Sequence, residues 1–274
     1  MGGERSAFLG PRASSARSLL GLVALASSLL LVQAGDGLRW RARGPRGADV
    51  VPGGPANAHH EFHFTRAAYS GWGWRSWATD YPKADRQFLI GVRRILSDLD
   101  AFPSENPVRL DDPDLARFPF LYAAEVGYMA LAEPEVQGLR RYLLAGGFLV
   151  VDDFWGTEEW SNFESEIRRV LPEHEIVEIP LDHPLFHSLY DIRGILQVPN
   201  VHQGIRGGPT WERNGYQPHC RGIFDEKGRL MVVINWNTDL GDAWEWAEQP
   251  LYPLEFSTFA YEMGINFIIY GMSH

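Results

Sequence analysis

The stretch Ala145-Gly-Gly-Phe-Leu-Val-Val-Asp-Asp-Phe-Trp-Gly156 constrains the fold more than any other part of the chain. Its two glycines supply the left-handed backbone that closes a helix, and Phe148 to Val151 is a short apolar run suited to a strand buried on both faces. Asp152 and Asp153 emerge at the carboxyl end of that strand. In open α/β sheets this edge is where ligands bind, so placement alone marks a candidate site.

The segments on either side extend the pattern. Glu61 to Thr65 alternates as a short strand, and Ala84 to Leu99 puts Phe88, Val92, Ile95 and Leu99 on one helical face. A long loop runs between them, from Arg66 through three Trp to Asp80-Tyr-Pro82. Pro107 to Leu110 and Phe118 to Tyr122 read as further strands. Glu133-Pro-Glu135 opens a helix whose buried face is Val136, Leu139 and Leu143. Beyond the two acids come a helix over Trp160 to Leu171, a strand over Glu175 to Ile179, and an irregular region from Val198 to Cys220. Gly228 to Ile234 gives a turn and a buried strand, and Phe256 to Tyr270 the terminal helix. Strands alternating with helices imply an α/β fold, a mostly parallel sheet with helices on both faces.

The N-terminal segment reads differently. Arg5, Arg12 and Arg17 precede an uncharged apolar run from Leu19 to Val32, and Val32-Gln-Ala34 has small residues at cleavage spacing. The expectation is a signal peptide over residues 1–34, a periplasmic or secreted product, and no membrane span after cleavage. The alternative is an uncleaved anchor, although the run is shorter than the roughly 17–25 residues of a spanning helix. Residues 35–58, rich in Gly, Pro and Arg, read as a flexible linker, which leaves one domain over 59–274. The formal net charge of −10 argues against nucleic acid as a partner. Cys220 is the only cysteine, which excludes an intramolecular disulfide.

Arg66, Asp80-Tyr-Pro82, Gly146-Gly-Phe-Leu-Val-Val-Asp-Asp153, Asp182-His-Pro184, Asp239-Leu-Gly-Asp242 and Gly264-Ile-Asn-Phe-Ile-Ile-Tyr270 together resemble a bacterial domain-of-unknown-function family, number 4159. The resemblance runs from about His60 to the C-terminus and implies a fold without an established activity. That family is similar in turn to the class I glutamine amidotransferase-like superfamily and its trehalose-utilisation branch, which implies a flavodoxin-like sheet. In true amidotransferases a Cys nucleophile occupies the turn after the Gly-Gly strand, at about Asp152 here. A carboxylate cannot replace the attacking thiolate, so amidotransferase activity is not implied.

Three functions remain open. The first is a ligand-binding or interaction domain that kept the cleft without the nucleophile. The second is a carbohydrate-active hydrolase using Asp152 or Asp153 with His183. The third is a scaffold subunit with a protein partner in an envelope assembly. Adjacent residues leaving a strand point apart, so one of the two Asp is expected to face the cleft while the other caps a helix or meets solvent. His183 and His187 have the spacing of helical metal ligands, but Pro184 lies between them and no third ligand stands at a recognised spacing. Asn235-x-Asn237-x-Asp239 fails as a calcium hand because Leu240 and Trp246 stand where Gly and Glu belong. No metal or cofactor is therefore assigned. Ligand contacts are expected from Arg66, Tyr69, Trp74, Asp80, Arg221, Asp239 and Asp242, because flat aromatic faces beside carboxylates suit a polyhydroxylated small molecule or glycan. The alternatives are packing roles for several of the Trp and an anion for Arg66 and Arg221.

Overall fold

The computed structural model describes residues 59–73 and 76–274. The expected signal peptide, the linker and Trp74 lie outside the described residues. The Gly-Gly stretch folds as its composition dictates. Glu133–Leu144 forms a helix (α2), Gly146 adopts φ 113, and the N–H of Gly147 bonds back to the Tyr142 carbonyl at 2.9 Å. The chain then enters Phe148–Asp152, the central strand.

In chain order the strands are β1 (Thr65–Ala68), β2 (Asn106–Arg109), β3 (Phe120–Ala124), β4 (Phe148–Asp152), β5 (Ile176–Glu178), β6 (His219–Phe224) and β7 (Leu230–Trp236). They form one seven-stranded sheet in the order β2-β1-β3-β4-β7-β6-β5. Every pairing from β2 to β7 is parallel, and β6 runs antiparallel to both of its neighbours. The parallel part has the flavodoxin-like order, with β7 as its fifth strand and a switch point between β1 and β3.

Alternation along the strands feeds two cores. Phe120, Tyr122, Phe148 and Val150 pack on one face against α1 (Lys83–Ile95) and α6 (Leu254–Ser273), through Phe88, Val92, Met263 and Phe267. Leu121, Ala123, Leu149 and Val151 pack on the other against α2 and α3 (Gly156–Val170), through Leu139, Leu143, Phe163 and Ile167. Two short helices, α4 (Val201–Arg206) and α5 (Leu240–Glu245), complete the fold. Among the described residues no helix is long and apolar enough to cross a membrane.

Two strands differ most from expectation, and the short helices α4 and α5 were not expected at all. The first strand is Thr65–Ala68 rather than Glu61–Thr65, and Phe62 makes only an isolated bridge to Ala101. A four-residue strand paired on both sides and buried throughout needs no polar alternation, so the pattern upstream was misleading. The second is β6, which begins at the last two residues of the segment read as irregular. It alternates buried Cys220 with half-buried His219 and Arg221, a weak signature beside Gly222.

Candidate functional site

The carboxyl ends of β1, β3, β4 and β7 converge, and the convergence begins with a buried ion pair. Arg66 on β1 is fully buried, and its guanidinium grips Asp85 in the first turn of α1 through Nε, at 3.0 and 3.2 Å, and through Nη2. Its Nη1 donates to the carbonyls of Trp77 and Thr79, each at 3.2 Å. Burial opposes the Arg66 charge, but Asp85 outweighs it and holds the guanidinium protonated. Arg66 therefore fastens the loop that presents Asp80, which has left-handed backbone at φ 60. Tyr69 fastens the other end of that loop, sharing its hydroxyl proton between the carbonyls of Ala124 and Glu125 at 2.6 and 2.8 Å.

Asp152 and Asp153 both join the site, against the expectation that only one would. Asp152 ends β4 on the Tyr122 face, and its Oδ2 accepts from the Tyr122 hydroxyl at 2.8 Å and the Gly241 N–H at 3.0 Å. Its Oδ1 is buried and has no hydrogen-bond partner among the described residues. Burial pushes this carboxyl up to about 7, with the bonds from Tyr122 and Gly241 pulling it back. Asp153 takes φ 52, which breaks the strand alternation and keeps its side chain at the same edge. The Trp155 indole N–H donates to Asp153 Oδ1 at 3.1 Å.

The segment after β7 closes the site. Asn237 turns left-handed at φ 62, and its Oδ1 accepts the Gly156 N–H at 2.8 Å. Asp239 then caps α5, its Oδ1 accepting the Asp242 N–H at 2.7 Å. Gly241 lies at the centre. A Cβ there would sit 3.0 Å from the Tyr122 hydroxyl, 3.4 Å from Asp80 Oδ2 and 3.6 Å from Asp239 Oδ1. Carboxylate oxygens of Asp80, Asp153 and Asp239 lie within 4.8 Å of one another, and so do those of Asp80, Asp242 and Glu245. Burial, then Asp242 and Glu245, push Asp80 well above the ordinary carboxylate range. Burial, then Asp153 and Asp242, do the same to Asp239. Asp242 is pushed up to about 6 by burial, opposed by the Val201 N–H, which donates to it at 2.7 Å.

Non-glycine residues with positive φ cluster here. Of the five among the described residues, Asp80, Glu125, Asp153 and Asn237 all follow these converging strands. Such backbone costs on the order of 1–3 kcal/mol per residue and concentrates at functional sites.

The family model for a domain of unknown function, DUF4159, matches residues 63–272. The chain belongs to the DUF4159 family. No curated protein matches it.

Within the DUF4159 domain the other candidates are dispersed. His183 stands at the opposite edge of the sheet, 5.6 Å from Phe224 and 5.5 Å from Tyr270 between ring centroids. Phe224 pairs with Leu230, the first residue of β7, so this is the amino end of the parallel strands. His183 caps a 3-10 turn, its Nδ1 accepting the Leu185 N–H at 3.2 Å, and His187 bonds locally to Asp191 and the Leu181 carbonyl. The pairing of Asp152 or Asp153 with His183 is therefore not assembled. Arg221 lies between the rings of Trp160 and Trp236, at 4.4 and 4.7 Å, and donates to Glu178. Arg66 and Tyr69 spend their polar atoms on the fold, and Trp244 is core, stacked on Phe88 at 4.2 Å. The sequence reading missed Tyr122 and Glu245. Glu245 had a signal, since it stands three residues after Asp242, but only once α5 is known to be a helix.

Proposed function

We propose that the DUF4159 domain is a ligand-binding domain whose pocket, lined by Asp80, Asp152, Asp153, Asp239 and Asp242, takes a donor-rich, polyhydroxylated small molecule. The carrying observation is the convergence of these carboxylates where parallel strands end. Carboxyl groups accept hydrogen bonds and, with their protonation raised by burial and by one another, can also donate them, so such a wall favours a ligand rich in O–H groups and disfavours anions. Flat aromatic faces support the same reading. Trp72, exposed and 5.1 Å from the Tyr128 ring, follows β1, and Trp246 follows α5 with the Lys83 ammonium 3.4 Å above it.

The amidotransferase-like ancestry inferred from sequence belongs to this proposal without the amidotransferase reaction. At the end of β4 stand Asp152 and the left-handed Asp153, carboxylates where that ancestry would place a thiolate at about Asp152. Cys220 is no substitute, because it is buried within β6 and burial pushes its thiol far above the nucleophilic range. The segment over residues 1–34 further supports a periplasmic or secreted setting, which an alkaline phosphatase fusion would report.

A panel of monosaccharides, polyols and glycans tested by calorimetry addresses the binding reading. The expected result is saturable binding to the unmodified protein that is weakened at least tenfold in Asp239→Asn. Failure of the whole panel to bind would overturn it.

A further inference from the structure

We propose that the carboxyl-edge pocket is a divalent cation site, in which Asp80 is shared between two adjacent carboxylate sets, Asp80 with Asp153 and Asp239, and Asp80 with Asp242 and Glu245. The inference rests on the pocket being a ligand site and names the first ligand it takes.

The geometry fits a hard cation. Within each set the oxygens lie no more than 4.8 Å apart. Two oxygens on opposite sides of one ion stand at about twice the metal–oxygen distance, roughly 4–5 Å for Mg²⁺ to Ca²⁺. The donors are all carboxylates, with no imidazole or thiolate, which selects Ca²⁺, Mg²⁺ or Mn²⁺ over zinc or copper. The caps do not exhaust these groups. Asp239 Oδ1 accepts from Asp242 N–H and keeps a second oxygen, while Asp242 accepts from Val201 N–H through Oδ2 and also from the Trp246 side chain, with lone pairs to spare on both oxygens.

A second observation is independent of the cluster. Asp152 Oδ1 is fully buried, and no described residue donates to it. Its partner oxygen is bound to the N–H of Gly241, the residue whose Cβ position is 3.4 Å from Asp80 Oδ2 and 3.6 Å from Asp239 Oδ1. A buried acceptor without a donor calls for an ion or an ion-bound water, and this one belongs to the carboxyl held by Gly241, the residue beside Asp80 and Asp239. Protein cations do not meet the need. Arg66 is committed to Asp85, and Lys83 stands 3.5 Å from Glu245 with its stem half exposed. Residues held in left-handed backbone, Asp80 and Asp153 among them, fix the direction of the ligands before any ion arrives.

The test is calorimetric titration of the full chain, stripped with EDTA and dialysed, with CaCl₂, MgCl₂ and MnCl₂ in turn. At least one should bind at two sites per chain. Asp80→Asn should weaken both at least tenfold, Asp239→Asn one of them, and Glu245→Gln the other. Melting in EDTA checks folding, and the split between Asp239→Asn and Glu245→Gln decides the assignment if Asp80→Asn does not fold. No binding of any cation up to millimolar concentration, or sites of undiminished affinity in both Asp239→Asn and Glu245→Gln, would overturn the proposal. Polyol binding that persists in EDTA without any cation site would sink this inference and leave the binding function standing. Cation binding without any polyol would do the reverse.

Discussion

Arg66→Met tests whether the site is held by the buried ion pair beneath it. Both side chains of the Arg66–Asp85 pair are fully buried, so removing the cation leaves an uncompensated carboxylate away from water. Breaking one side of such a pair costs about 3–5 kcal/mol, whereas replacing both sides with apolar residues of similar volume is often neutral. The same substitution removes the bonds to the Trp77 and Thr79 carbonyls, which leave the loop before Asp80 unfastened. Urea unfolding in EDTA should therefore show a loss of about 3–5 kcal/mol for Arg66→Met, a fall in melting temperature of roughly 6–20 °C for a domain of this size. Arg66→Met with Asp85→Leu should recover most of that loss while ligand affinity at Asp80 stays reduced. The double-mutant cycle isolates the pair. A single-mutant loss under about 1 kcal/mol, or a double mutant no better than the sum of the singles, would refute the argument.

Gly138→Ala should destabilise the fold by about 1–3 kcal/mol despite the better helix propensity of Ala, because the added Cβ would overlap the Leu110 carbonyl oxygen; a gain in melting temperature would contradict that packing. Glu105 is held down at about 2, chiefly by hydrogen bonding from Arg86, so its contribution is present above the unfolded pKa of 4.5 and is lost as pH falls through about 2. Glu105→Gln should be slightly less stable than the parent at pH 7, with the gap closing towards pH 2 in urea titrations; a gap independent of pH would refute the linkage. The effect is small because Arg86 is solvent-screened. Cys220 should be unreactive towards a disulfide-exchange reagent in the folded protein and react fully in urea, since it is 1% exposed within β6; rapid native-state labelling would show that β6 opens.

Much of the frame was legible because its signals are local. The glycines before Phe148, the Glu-Pro start of α2 and the helical spacing of Phe256 to Tyr270 each depend only on near neighbours. The first strand was misplaced because Thr-Arg-Ala-Ala carries no apolar pattern, and Arg66 is buried only by virtue of Asp85, nineteen residues away. The site was half legible. Asp80, Asp152, Asp153, Asp239 and Asp242 follow strands and were found by that placement. His183 also follows a strand, but β5 is the far edge of the sheet and its continuation packs at the amino end, a matter of topology rather than spacing. That Asp153 stays at the same sheet edge as Asp152 depends on its φ, which no residue pattern encodes.

The left-handed turns after the central strands also bear on how a ligand would be received. Residues already confined to a rare backbone well have little freedom left to surrender, so the entropy of ordering the wall is lost during folding and not at each encounter. Glu125→Gly would relieve that confinement at a residue outside the proposed ligand set. The relaxed variant is expected to hold the proposed ligand for a shorter time, a loss due to backbone freedom and not to a missing carboxylate of that set.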